Sequence, residues 1–174
     1  MRFASLTATA AAVIVATALA AAPAAAKTYS FRAVLGGTRP PTMTGSPASG
    51  VAKVRIDTKT KRVSVDLDVT GITLDQLNKA LVAKPIGPVH FHEYRSADDI
   101  ELVLPLPYGA NYTATKTGFH VTVRDYDYEA GVKLVNSGAT LDEFVTAAQA
   151  GKVMLNVHTD KFPDGEISGA LNDG

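Results

Sequence analysis

The chain contains no cysteine. Disulfide bonds, thiolate metal ligands and lipid attachment through cysteine are therefore excluded, and packing must supply the stability of the fold. A transition-metal site would have to be built from histidine, carboxylate or methionine side chains. The whole sequence has four histidines and three methionines, so the positions of the histidines carry most of the information about such a site.

An excess of charge of either sign is also lacking. The 17 lysine and arginine residues balance 17 aspartate and glutamate residues, and no basic run is present. A chain with this balance is not expected to bind nucleic acid or to attach to a membrane surface through its charge.

The first residues have the pattern of a signal peptide. A positively charged start is followed by the uncharged run Leu6–Ala22, which is short for a membrane-spanning helix. Small residues at Ala24–Ala26 suit the cleavage rule of signal peptidase. The sequence therefore predicts a signal peptide over residues 1–26 and export to the periplasm or beyond the cell. An uncleaved membrane anchor is the alternative, but no stable membrane insertion is expected after cleavage.

The remaining Lys27–Gly174 is long enough for one domain with its own core. Most of it alternates apolar and polar residues with the period of a β-strand that has one buried face. The clearest pair is a predicted hairpin over 51–57 and 62–70. Further strands are predicted over 28–35, 88–94, 100–106, 119–129, 153–158 and 166–171.

Two short helices are predicted in the connections. Capping-box sequences at Thr73–Gln76 and Thr140–Glu143 predict a helix to about Ala83 and another that ends at Gly151. Many short strands with only two short helices indicate a mostly β protein, an antiparallel Greek-key β-sandwich or barrel.

The pattern His-x-His at His90 and His92 is the strongest chemical signal in the chain. On a strand, side chains two residues apart share a face at about 7 Å, so both imidazoles can reach one metal ion. Phe91 then points to the opposite face. A third histidine, His158, ends the distant predicted strand 153–158.

A single histidine on a strand is most often an ordinary surface or core residue, but His-x-His with a third histidine favours a metal site. Copper is favoured over zinc because nitrogen-rich sites prefer it, although zinc bound by three histidines and water remains open. His120 is a candidate fourth ligand, and a solvent-facing histidine is an equally good interpretation. Met154 shares the face of His158 and is a candidate soft axial neighbour of the metal, although a core position is its simpler interpretation. Glu93 faces away from His90 and His92.

The C-terminal part of the chain resembles the chordin-type (CHRD) domain. The family typically ends in a helix, a glycine, a strand closing in Asn-Val-His-Thr, and a Gly-Glu-Ile-Arg-Gly turn. Asn156–Thr159 and Gly165–Gly169 match these, except that Ser168 stands where the arginine is usual. The front of the chain is similar to the family at Phe31–Leu35 and at the paired prolines Pro40 and Pro41. The family's His-x-His matches His90 and His92.

The CHRD pattern is in turn similar to that of the copper-zinc superoxide dismutases. This likeness implies a superoxide dismutase-like β-sandwich with copper held by His90, His92 and His158. The dismutase disulfide and the histidine and aspartate cluster of its zinc subsite have no counterpart here.

Two functions follow as hypotheses. The first is an exported metal-binding protein, either a metal handler or a superoxide dismutase-like oxidoreductase. The second is a non-catalytic extracytoplasmic interaction or structural module, whose protein partner the sequence does not identify. Convergence of the three histidines with an open coordination position would favour redox chemistry under the first hypothesis, whereas separated or closed-over rings would favour the second.

Overall fold

The computed structural model describes residues 26–96 and 98–173. Residues 1–25 of the predicted signal peptide lie outside the described residues. In the described part of the chain, no helix combines the length and the apolar character needed to cross a membrane.

Strands dominate the described residues. They are β1 Thr28–Gly36, β2 Ser49–Asp57, β3 Arg62–Thr70, β4 Val89–Tyr94, β5 Ile100–Leu106, β6 Tyr112–Ala114, β7 Gly118–Asp127, β8 Val153–Val157, β9 Ile167–Ala170 and β10 Asn172–Asp173. The α-helices are α1 Lys79–Val82, α2 Tyr128–Leu134 and α3 Leu141–Gln149, and Leu74–Gln76 forms a 3-10 helix.

All strand pairs are antiparallel, and they form one curled sheet. Its order is β5-β4-β8-β9-β1-β2-β3-β7-β6, with β10 beside β1. The two ends of the sheet approach each other, since the Tyr112 hydroxyl in β6 donates a hydrogen bond to the Leu106 carbonyl in β5 at 2.7 Å. The predicted mostly β, antiparallel sandwich or barrel is confirmed.

The concave face of the sheet holds the core. In the predicted hairpin, β2 and β3 pair in register from Ser49 and Thr70 to Asp57 and Arg62. Their inward residues are almost fully buried, and burial of each such valine, isoleucine or leucine contributes about 1.5–3 kcal/mol. Phe91 lies on this face and packs edge-on against Phe144 of α3, with ring centroids 5.9 Å apart.

The first predicted helix is broken in two. The 3-10 helix ends at Gln76, and the next residue, Leu77, leaves the helical region and forms a β-bridge with Thr159. Asn78 then caps α1 by accepting a hydrogen bond from the Leu81 amide at 3.1 Å. Burial of Leu77 against the C-terminal segment therefore overrides the helical pattern.

The second predicted helix is confirmed as α3, including its capping box at Thr140 and Glu143. The predicted strand over 119–129 runs too far, however, and a helix was missed. Strand β7 ends at Asp127, whose side chain caps α2 by accepting from the Ala130 amide at 2.9 Å. The short strands β6 and β10 were also missed, because two or three residues carry no readable alternation.

Candidate metal centre

Three of the four predicted ligands, His90, His92 and His158, lie on the outer face of two neighbouring strands, β4 and β8. His90 on β4 stands opposite Asn156 on β8, which in turn stands opposite Ser168 on β9. His158 follows β8 directly, two residues after Asn156, and so shares that face. Adjacency of β4 and β8 in the sheet is what brings the distant third histidine to the His-x-His pair.

The three imidazole rings meet. His90 lies 4.7 Å from His92 and 4.3 Å from His158, measured between ring centroids. One nitrogen from each ring can be chosen so that all three nitrogens lie within 4.8 Å of one another. The predicted grouping of His90, His92 and His158 is thus present, on the face opposite Phe91.

Two loops bury this part of the outer face. The loop between β1 and β2 lies over β9, where the Thr42 and Ser168 hydroxyl oxygens are 3.1 Å apart. The turn after His158 closes the other side. His90 is 2% exposed and His158 5% exposed, whereas His92 is half-buried.

Backbone carbonyls orient two of the rings. Nδ1 of His90 is 3.0 Å from the Gly87 carbonyl oxygen, and Nδ1 of His158 is 2.8 Å from that of Pro163. A carbonyl oxygen can only accept, so both Nδ1 atoms are the protonated donors and both Nε2 atoms carry a free lone pair. Metal-binding histidines commonly donate their other nitrogen in this way.

Two of the remaining ring nitrogens are buried without a partner. Nε2 of His158 and Nδ1 of His92 make no hydrogen bond in the described structure. Buried polar atoms are ordinarily paired, so these two nitrogens call for a partner.

Burial keeps the cluster neutral. The pKa of His90 falls to about 3, first because burial disfavours the imidazolium and then because His158 and His92 are close. Burial followed by the nearby His158 lowers the pKa of His92 to about 4, and burial also lowers the pKa of His158. Neutral imidazole is the form that binds metal.

The residues present fit a transition metal with a small adjustment. Ligand nitrogens about 2.0–2.1 Å from one tetrahedral ion are about 3.3 Å apart, and these nitrogens span up to 4.8 Å. The rings must therefore close by an ångström or more, which rotation about the side-chain torsions can supply. No carboxylate among the described residues joins the group.

His120, the predicted fourth ligand, does not join the cluster. It lies on β7 in the other half of the sheet, with its Nδ1 2.7 Å from a carboxylate oxygen of Asp68 and its Nε2 3.5 Å from one of Asp66. The alternative of a polar-face histidine therefore describes it better. The reason is topological, since β7 pairs with β3 rather than with β4 or β8.

Two other residues can be placed. Met154 is half-buried and stands opposite His92 on the outer face, so the interpretation of Met154 as a core residue is wrong. Glu93 faces away from the histidines, as predicted, and forms an ion pair with Arg95 at 3.3 Å.

A pocket of about 340 Å³ lies beside the cluster. It is lined by the two covering loops and by β4: Pro41, Thr42, Thr44, Tyr94, Lys161, Phe162, Pro163, Asp164 and Gly165. Gly165 connects it to the site, since a β-carbon there would lie 3.8 Å from Cε1 of His158.

Sequence reasoning missed the residues that surround the histidines. Asn156, Gly165 and Glu166 all fall in the C-terminal motif that carries the CHRD resemblance, which was the available signal. Glu166 connects the covering loops, as Oε1 accepts from the Ser46 hydroxyl at 2.6 Å and Oε2 from that of Thr159 at 2.7 Å.

The fold and the site together define an antiparallel β-sandwich domain with a buried histidine cluster on its outer face. Comparison with protein families gives a match to the CHRD domain over residues 31–171. The chain therefore belongs to the CHRD domain family, as the resemblance implied. CHRD domains occur in extracellular proteins. No curated protein and no solved structure matches the chain.

Proposed function

We propose that this CHRD-domain protein is exported and binds one transition metal ion, copper, through His90, His92 and His158. The observation that carries the proposal is the meeting of three neutral imidazoles whose nitrogens lie within 4.8 Å. Two of these nitrogens are buried without a partner, and burial of this kind is costly for a group that has no ligand.

The donor set favours copper over zinc. All three ligands are imidazoles, and nitrogen donors bind Cu²⁺ more tightly than Zn²⁺ in the usual affinity order. Zinc with three histidines and one further ligand remains the alternative metal. An exported location supports copper as well, since metal outside the cytoplasm is not withheld by the cytosolic thiol pool.

Titration of copper and zinc into the metal-free mature protein tests the proposal. The wild type should bind one equivalent of copper, more tightly than zinc. His158→Ala should weaken copper binding by about 100-fold or more, since loss of even an outer-shell partner costs 10–100-fold. Equal copper affinity of the two proteins would refute the three-histidine site and would favour the non-catalytic interaction module.

Superoxide dismutase-like activity is a second candidate. The pocket of about 340 Å³ beside His158 favours it, because a redox site needs a path for a small substrate. Superoxide removal by the copper-loaded wild type, compared with copper-loaded His120→Ala and with the metal-free protein, tests this. Stoichiometric copper binding without superoxide removal would favour a metal-handling role.

A further inference from the structure

Asn156 is a buried amide in the middle of the candidate metal centre. It is 1% exposed and lies between His90 on one neighbouring strand and Ser168 on the other. It shares the outer face with His158, two residues further along the chain.

The side-chain oxygen of Asn156 has no hydrogen-bond partner. Among the described residues, the buried side-chain polar atoms without a partner are His92 Nδ1, Tyr126 Oη, Asn156 Oδ1 and His158 Nε2. Three of the four belong to this cluster. A metal ion would take up the two histidine nitrogens, but the amide oxygen would still need a partner.

Ser168 provides a contrast on the same face. Its hydroxyl lies 3.1 Å from that of Thr42 and donates to the Pro40 carbonyl oxygen at 3.2 Å, so the protein itself satisfies it. By contrast, no group among the described residues forms a hydrogen bond with Asn156 Oδ1. The unpaired atom is therefore the side-chain oxygen of Asn156, on the part of the outer face that also holds the histidines.

The pocket ends next to this amide. A β-carbon on Gly165 would lie 3.5 Å from Asn156 Nδ2, and Gly165 itself lines the pocket. Gly165 is therefore a residue that lines the pocket and also lies next to the Asn156 amide.

We infer that Asn156 holds a small protic oxygen ligand, water or hydroxide, at the open fourth position of the metal site, with Oδ1 accepting its hydrogen bond. The inference rests on the proposed function, because the three histidines hold the metal and leave at least one position free. Asn156 is thus a positioning residue for the exogenous ligand and is not itself a metal ligand.

Azide is the probe, because it can displace a bound water but has no proton to donate to Oδ1. Azide is titrated into the Cu²⁺-loaded wild type, N156L and N156D, and the azide-to-copper absorption band is followed. N156L removes the acceptor at similar volume, so water is held less tightly and azide affinity should rise about 2- to 10-fold. N156D offers a charged acceptor that strengthens the hydrogen bond and repels azide, so affinity should fall about tenfold or more.

Ser168→Ala is the matched control. It also removes a buried polar group from this face, and its azide affinity should stay within about twofold of the wild type. Equal azide affinities in N156L and the wild type would overturn the inference. A loss of copper affinity in N156L as large as that in His158→Ala would also overturn it, since Asn156 would then be a direct ligand. If N156L does not fold, equal azide affinities in N156D and the wild type would overturn the inference instead.

The inference and the proposed function fail separately. Absence of copper binding by the wild type refutes the metal site. Copper binding with azide affinities that do not depend on residue 156 refutes only the role of Asn156.

Discussion

The imidazole rings of His90 and His158 stack, with centroids 4.3 Å apart and planes inclined by 25°. Each ring is fixed by its own backbone acceptor, Gly87 for His90 and Pro163 for His158. Such a stack cannot hold two imidazolium ions, because two positive charges at this separation would repel each other strongly, and burial disfavours even one. The protonation of these rings therefore controls both the stability of the fold and the availability of the site.

The metal-free protein should lose stability as the pH falls below about 6.5. Histidines in the unfolded chain protonate near 6.5, whereas the pKa values of His90 and His92 in the fold are about 3 and about 4. Between these values the unfolded state binds more protons, so the free energy of unfolding decreases with falling pH. Each histidine that stays neutral contributes a slope of about 1.4 kcal/mol per pH unit. Urea unfolding at several pH values between 4.5 and 7.5 measures this dependence of the free energy of unfolding on pH.

His92→Leu is the comparison for this effect. It removes one of the buried imidazoles, so the dependence of stability on pH should become shallower. An unchanged slope would show that His92 protonates equally in the folded and unfolded states. Bound copper should reduce the loss of stability of the wild type at low pH, since the metal competes with protons for the histidine nitrogens.

His120→Ala should leave copper affinity within about twofold of the wild type. Its ring is paired with Asp68 in the other half of the sheet and contributes no atom to the cluster. This variant is therefore the matched control for His158→Ala, since both remove one histidine of the domain. A loss of affinity in His120→Ala comparable to that in His158→Ala would contradict the assignment of ligands.

The limits of the sequence can be seen in particular residues. The period of two placed Phe91 in the core and His90 and His92 together on the other face, because β4 keeps this alternation. It could not decide between His120 and His158, since that choice depends on which strands are neighbours. The pairing of β4 with β8 is a long-range property that local pattern does not contain. Likewise, Asp127 reads as one more strand residue until its side chain is seen to cap α2.

Gly165→Ala should destabilise the protein and weaken copper binding. The backbone of Gly165 has φ +118, which a side chain strongly disfavours, and the added β-carbon would lie 3.0 Å from Cγ2 of Thr42. A cost of about 1–3 kcal/mol is expected for such a conformation. Displacement of the turn would also move Pro163, the acceptor of His158.

Gly138→Ala is the control for this substitution. Its β-carbon would meet nothing within 4 Å and its φ is not positive, so stability should be unchanged or slightly higher. Thermal unfolding and copper titration of both variants provide the comparison. Equal thermal unfolding midpoints in Gly165→Ala and Gly138→Ala would show that the turn at Gly165 accommodates a side chain without loss of stability.

Glu166→Gln should loosen the two loops that cover the histidines. The carboxylate accepts from Ser46 in one loop at 2.6 Å and from Thr159 in the other at 2.7 Å. Glutamine has nearly the same shape but replaces one accepting oxygen with a donor, so one hydroxyl loses its acceptor. Hydrogen bonds to charged groups contribute about 1.5–3 kcal/mol, so the free energy of unfolding should decrease by an amount of that order.

Glu129→Gln is the matched control for Glu166→Gln, because Glu129 forms an exposed ion pair with Lys61. Its substitution should change the midpoint of thermal unfolding little.

Hydrogen exchange provides a second measurement, beside thermal unfolding. In Glu166→Gln the amides of Gly45 and Gly165, which are bonded to Gly37 and Phe162, should exchange faster while those of the β2–β3 hairpin do not. This local pattern is expected because the Glu166 carboxylate joins the loops to each other and not to the core. Uniformly faster exchange would instead assign Glu166 to the stability of the whole domain, and unchanged exchange would show that the backbone bonds alone hold the loops over the metal site.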